Sequence, residues 1–228
     1  MSFTRAIGKA FGLVLTQLVR LLTLSGVHPN ALTLIGLVVN GVAAWILARG
    51  EFLYGGLVIL CAAVFDLTDG AVARNANKVT RFGAFLDSVM DRYSDLIILT
   101  GLLVHYARID RFSYIVLTAV VMIGSVLVSY SRARAENLIP SCKVGFLERP
   151  ERIVLLIIGS LFDRMAAVLW VMAFLSNLTV VHRIVHTWKE SRRVRQAEHA
   201  AAGAENQDAS LNSSPAGQAE LQEGYRSA

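Results

Sequence analysis

Apolar runs close to the roughly 20 residues that cross a bilayer as a helix recur along this chain. They fall at about residues 30–50, 53–73, 84–106, 112–131 and 165–187. A shorter run, Ile153 to Phe162, completes a sixth if its helix begins near Pro150. Inside a bilayer the backbone N–H and C=O groups find no water, so runs of this length fold as helices that satisfy those groups internally. The expected fold is an all-α integral membrane protein with six transmembrane helices. With 54% hydrophobic and 17% charged side chains over 228 residues, the chain is far more apolar than a soluble domain of its length requires.

The first residues read differently. "FTRAIGKAFGLVLTQLVRLL" sets Arg5, Lys9 and Arg20 among Phe3, Phe11, Leu13, Leu15, Leu18 and Leu22. Residues 1–24 are therefore expected to form an amphipathic helix in the headgroup region. No cleavable signal pattern is evident there. Residues 25–190 hold the six-helix domain. The segment 191–228 is basic at first, then rich in Ala, Gly, Ser, Gln, Asn and Glu from Gln196 on, the composition of a disordered tail.

Six spans put both ends on one side. Sixteen Lys and Arg residues then share the side of the termini, against Arg49, Arg108, Arg111 and Arg164 opposite. The positive-inside rule places the termini and the loops near residues 78 and 142 in the cytoplasm, in a cell membrane protein. The net charge of +5 is thus a topology signal. No aromatic and basic stripe or DNA-reading motif accompanies it, so a nucleic-acid partner is not expected. Cys61 and Cys142 lack a CxxC spacing, which argues against a structural disulfide or zinc site.

One stretch breaks the apolar pattern. "VFDLTDGAVARNANKVTRFGAFLDSVMDRYSD" concentrates five of the seventeen acids. On a helix Asp66 and Asp69 stand at i and i+3, Asp87 and Asp91 at i and i+4, so each pair projects from one face. Asp95 can extend the second row. Between the pairs "NANKVT" is turn-like and lets two helices form a hairpin at the cytoplasmic surface, where four carboxylates converge. Two unit charges about 4 Å apart repel by roughly 4 kcal/mol at an effective dielectric near 20, so convergence demands counterions. All-oxygen ligation favours Mg²⁺ or Mn²⁺, and four carboxylates suit two divalent ions that clamp a phosphate. Gly70, Ala71, Ala73, Gly83 and Ala84 leave open backbone near the acids. Arg74, Thr80 and Arg81 lie where they could reach anionic oxygens.

These residues match D-x2-D-G-x2-A-R-x8-G-x3-D-x3-D without a gap: Asp66, Asp69, Gly70, Ala73, Arg74, Gly83, Asp87 and Asp91. The pattern resembles the signature of the CDP-alcohol phosphotransferases, integral membrane enzymes that displace CMP from a CDP-linked substrate. The resemblance implies metal ligation by the four aspartates, with Asp91 as general base on the acceptor hydroxyl. It also implies a CDP-lipid site lined by Pro29, Asn30, Ala31, Leu32, Gly70, Ala73, Arg74, Thr80 and Gly83, CDP-diacylglycerol as donor, and a homodimer. "HPNALT" also reads as a helix start with Asn30 as N-cap. Asp95 lies outside the signature and is expected to be solvated or hydrogen-bonded structurally.

The acceptor is read from a second basic cluster. "SYSRARAENL", "VGFLERPERIVLL" and "VHRIVHTW" supply Arg132, Arg134, Arg149, Arg152 and Arg183. Arginine forks bind phosphate bidentately, which points to a phosphorylated alcohol. The distribution is similar to the bacterial phosphatidylinositol phosphate synthases, and this resemblance implies that Arg132, Arg134, Arg152 and Arg183 bind the phosphate of inositol phosphate. The first position is commonly lysine there and is arginine here. Glu136, Glu148 and Glu151 are expected to orient these arginines. His182 and His186 form an i, i+4 pair with no third metal ligand nearby. Glycerol 3-phosphate is the alternative acceptor, and a small ion-coupled carrier is the alternative of another class, since intramembrane acids also mark ion pathways.

Overall fold

The computed structural model describes the backbone of residues 29–75 and 80–213, and the side chains of residues 30–66 and 80–196. The expected N-terminal amphipathic helix lies outside the described residues. Among them the fold is all-helical: α1 (Pro29–Ala48), α2 (Phe52–Asn75), α3 (Arg81–Arg108), α4 (Phe112–Ala135), α5 (Arg149–Leu161) and α6 (Met165–Ser213). Three segments, Asn30–Ala48, Phe112–Ala135 and Met165–Gln196, are long and apolar enough to cross a membrane, and Phe52–Asp66 is a shorter apolar stretch. α3 is long enough to span, but its first half carries Arg81, Asp87, Asp91, Arg92 and Asp95. α5, at 13 residues, is about 20 Å long.

Two expectations are corrected at helix ends. α1 begins at Pro29, so Asn30 sits inside the first turn rather than at the N-cap. Proline suits a first helical position because the N–H it lacks would have no helical partner. α6 continues to Ser213, well into the tail read as disordered. Ala, Glu, Gln and Arg there are strong helix formers, and the next proline is Pro215.

The described residues up to Tyr130, with Gly145–Val180, make one compact unit. Within it α1 packs on α2 and α3, and α2 packs on α5. Leu47, Ile59, Ile98, Leu102, Leu156 and Leu169 form its interior. Between lipid-exposed helices apolar burial gives little drive to associate, so close backbone approach matters more. Gly101 supplies it: a Cβ there would lie 2.3 Å from the Ala44 carbonyl oxygen, so only glycine lets α3 touch α1. Gly50, at φ +85°, turns the chain from α1 into α2. Val38, Trp45, Ile123, Trp170 and Phe174 are exposed, an outward apolar surface suited to lipid. Ser131–Val144 and the described residues from Val181 form the second unit. There Ala135, Ile139 and Cys142 are buried together, and Arg183 Nε donates to the Val144 carbonyl at 2.8 Å.

Candidate active site at the ends of α2, α3 and α5

Three helices of the first unit bring charge together. α2 contributes Asp66, α3 contributes Asp87, Asp91 and Asp95, and α5 contributes Arg149 and Arg152. Thr80 starts α3, its Oγ1 accepting the Gly83 N–H at 2.9 Å, which satisfies a donor that the helix leaves unpaired. α5 is set by its own first turn and by α6. Glu151 accepts the Glu148 N–H at 2.9 Å, and Thr179 Oγ1 accepts the N–H groups of Phe146 and Leu147 at 3.0 and 3.2 Å. The loop before α5 is thereby anchored, and Arg149 and Arg152 project one turn apart from its first residues.

The Arg149 guanidinium lies across the acids. Its Nη2 stands 2.6 Å from Asp66 Oδ2, its Nη1 3.0 Å from Asp91 Oδ1, and its Nε 3.6 Å from Asp95 Oδ1. Burial opposes its charge, yet Asp91, Asp66 and Asp95 outweigh that effect and raise its pKa above the ordinary arginine value. Arg152, 2% exposed, donates from Nη2 to Asp95 Oδ2 at 2.6 Å. Its Nε and Nη1 are buried with no hydrogen-bond partner, as is the Nε of Arg149. The site thus holds cationic donors that its carboxylates do not satisfy.

Of the residues expected from sequence, Asp66 and Asp91 meet on one guanidinium, and Asp87 lies one turn before Asp91. Gly36 of α1 has no side chain to block Asp66: a Cβ there would stand 3.0 Å from Asp66 Oδ1. Asp69, Gly70, Ala73 and Arg74 belong to α2, their side chains outside the described set. A Cβ on Gly83 would meet Thr80 Oγ1 at 2.9 Å and Asn30 Oδ1 at 3.3 Å, so the starts of α1 and α3 adjoin. The Thr80 hydroxyl keeps its proton to donate. Leu32 is buried and packs in the interior. In the second unit Arg132 pairs with Glu136 at 3.0 Å, Arg134 is exposed and Arg183 is buried. Glu136 thus pairs with an arginine as expected, whereas Glu151 caps its own helix.

Two features escaped the sequence reading. Arg149 counted there only as part of a basic cluster, although the three-residue spacing in E-R-P-E-R puts it on the face of Arg152. Of the two expectations for Asp95 the hydrogen-bonded one holds: it is 5% exposed and accepts from Arg152, and only the identity of that partner was missed. Among the described residues no three His, Cys, Asp or Glu side chains close on one point. The Asp66 and Asp91 oxygens converge on a cation, however, and the donors are all carboxylate oxygens beside the bare backbone of Gly36. That chemistry fits a hard divalent ion.

A family model described as CDP-alcohol phosphatidyltransferase matches residues 26–189. The chain is 37% identical over 165 residues to the archaetidylinositol phosphate synthase of Pyrococcus horikoshii, covering 72% of this chain and 85% of that one. It is also similar to crystal structures of Mycobacterium tuberculosis phosphatidylinositol phosphate synthase. One has CDP-DAG bound and matches with a TM-score of 0.71 and 30% identity, over 77% of this chain and 94% of that chain. Another, in complex with manganese and citrate, matches with a TM-score of 0.71 and 31% identity, over 76% and 88%.

Proposed function

The chain belongs to the CDP-alcohol phosphatidyltransferase family, and from that premise we propose that it transfers a phosphatidyl group from CDP-diacylglycerol to a hydroxyl of inositol phosphate, releasing CMP. The observation that carries the reading is the unbroken eight-residue signature on α2 and α3, with Asp66 and Asp91 facing one cation. Asp66, Asp69, Asp87 and Asp91 hold two divalent ions, Mg²⁺ or Mn²⁺, and the manganese-bound relative supports this assignment. Such ions, when bound, draw charge from phosphoryl oxygens. Asp91 takes the proton of the acceptor hydroxyl as that oxygen attacks the lipid-bearing phosphorus and CMP departs. Thr80, Gly83, Arg74, Gly70, Ala73 and the Pro29–Leu32 run receive the nucleotide. The adjoining starts of α1 and α3 support this placement.

Arg152 is the acceptor residue best supported by geometry, because its buried Nε and Nη1 are donors that a phosphate would satisfy. Arg132, Arg134 and Arg183 come to the same role through the family likeness alone, as does the homodimer. The related synthases carry archaetidyl and phosphatidyl names but share inositol phosphate in both, which favours that acceptor over glycerol 3-phosphate. Six crossings, with both termini and the acids at the cytoplasmic face of the cell membrane, complete the reading on the distribution of Lys and Arg.

The test is purified protein with CDP-diacylglycerol, Mn²⁺ or Mg²⁺, and a panel of alcohols, with CMP release measured for each. Metal-dependent release with inositol phosphate, and little with inositol, is the expected result. A preference for glycerol 3-phosphate would replace the acceptor, and ion flux without CMP release would replace the reaction.

A further inference from the structure

The acids assigned to divalent ions already hold a cation of the chain's own. Arg149 bridges Asp66 and Asp91 through its two terminal nitrogens, joining α5 to both helices of the signature. Its side chain keeps about a quarter of its exposure, whereas Arg152 is 2% exposed and fixed on Asp95. The two arginines therefore differ in freedom: Arg152 is buried and held on Asp95, whereas Arg149 is partly exposed. The Asp66 and Asp91 oxygens proposed to hold a divalent ion are the ones paired with Arg149.

We propose that Arg149 is a displaceable internal counterion, which pairs with Asp66 and Asp91 and leaves them when a divalent ion binds, so that metal uptake and release of the guanidinium are one exchange. The inference rests on the metal-dependent reading above. A guanidinium and a divalent ion on the same two oxygens repel at contact distance; the guanidinium alone offsets one of the two carboxylate charges, and a divalent ion offsets both. The planar fork of arginine bridges two carboxylates in a way that a lysine ammonium does not. Once freed, the same nitrogens are donors of the kind phosphoryl oxygens accept.

Mn²⁺ binding to the purified full chain, read from the EPR signal of the free ion with no substrate present, tests the exchange by its sign. Arg149→Gln should bind Mn²⁺ about tenfold or more tightly than the native protein, since the ion no longer displaces charge-assisted contacts. Arg149→Lys should fall between. A residue that merely braces α5 would act oppositely, its loss loosening the cluster and weakening Mn²⁺. Mn²⁺ should also raise the Tm of Arg149→Gln more than that of the native protein. Should Arg149→Gln fail to fold, the native protein still reports: its Arg149 Nε resonance, assigned by its loss in Arg149→Lys, should shift with Mg²⁺ in step with metal uptake. Equal or weaker Mn²⁺ binding by Arg149→Gln, or an Arg149 resonance indifferent to saturating Mg²⁺, overturns the proposal. Native protein that takes up no Mn²⁺ while still releasing CMP overturns the metal-dependent reading together with it.

Discussion

α3 carries one continuous stripe with two chemistries. Asp87, Asp91 and Asp95 follow at four-residue steps, and Ile98, Leu102 and Tyr106 continue the same face. Asp95 and Ile98 are nearly equally buried, at 5% and 0%. In the apolar half, burial is met by close packing, down to the contact of Gly101 with the Ala44 backbone. In the acidic half it is met by Arg149 and Arg152, without which buried carboxylates would be strongly unfavourable. Depth alone therefore does not separate a residue that holds the fold from one that serves the site. What separates them is whether the partner is a packed surface or a charge that could be exchanged.

That contrast can be broken by substitution. The largest effect is expected at the acids proposed to hold metal: Asp66→Asn or Asp87→Asn should lower CMP release by about a thousandfold, the several kcal/mol that metal ions contribute. Their Tm should stay near that of the native protein. Turnover near normal in a folded variant would remove these residues from the site.

Arg152→Ala comes next and should act on both sides of the contrast. It leaves the buried Asp95 carboxylate only the longer contact to Arg149, which costs about 3 kcal/mol of stability read as a lower Tm. It should also raise the KM for inositol phosphate about tenfold while leaving donor affinity unchanged. Loss of stability with an unchanged KM would make Arg152 a purely structural residue.

Gly101→Ala tests the apolar half alone. The added methyl meets the Ala44 backbone and should cost about 1 to 3 kcal/mol of stability, with the folded fraction retaining normal turnover. A fall in turnover per folded molecule would show the two halves to be coupled. Arg134→Ala, at an exposed position, should have the smallest effect: a KM for inositol phosphate raised severalfold to about tenfold, with Tm unmoved. An unchanged KM would leave Arg134 to orientation of the helix in the membrane.

How much was legible in advance follows the same division. The eight-residue signature and the i, i+4 row of α3 lie within short stretches of chain, where helical geometry alone fixes which side chains share a face. Asn30 was misread because a cap and a first turn differ by one residue, and Pro29 decides between them. The tail was misread from its polar composition, which is also a helix-forming one.

The sequence by itself determined the apolar helical architecture, the family and the carboxylates proposed to carry the chemistry, because apolar run length and local spacing depend only on neighbours along the chain. Only the tertiary structure decided which cation sits among those acids. Arg149 reaches Asp66 across 83 residues, and Arg152 reaches Asp95 across 57. Local spacing says which face an arginine occupies and nothing about which distant helix that face will meet. That choice belongs to the tertiary arrangement of α2, α3 and α5, which brings side chains from separate segments within the 2.6 Å at which opposite charges bond.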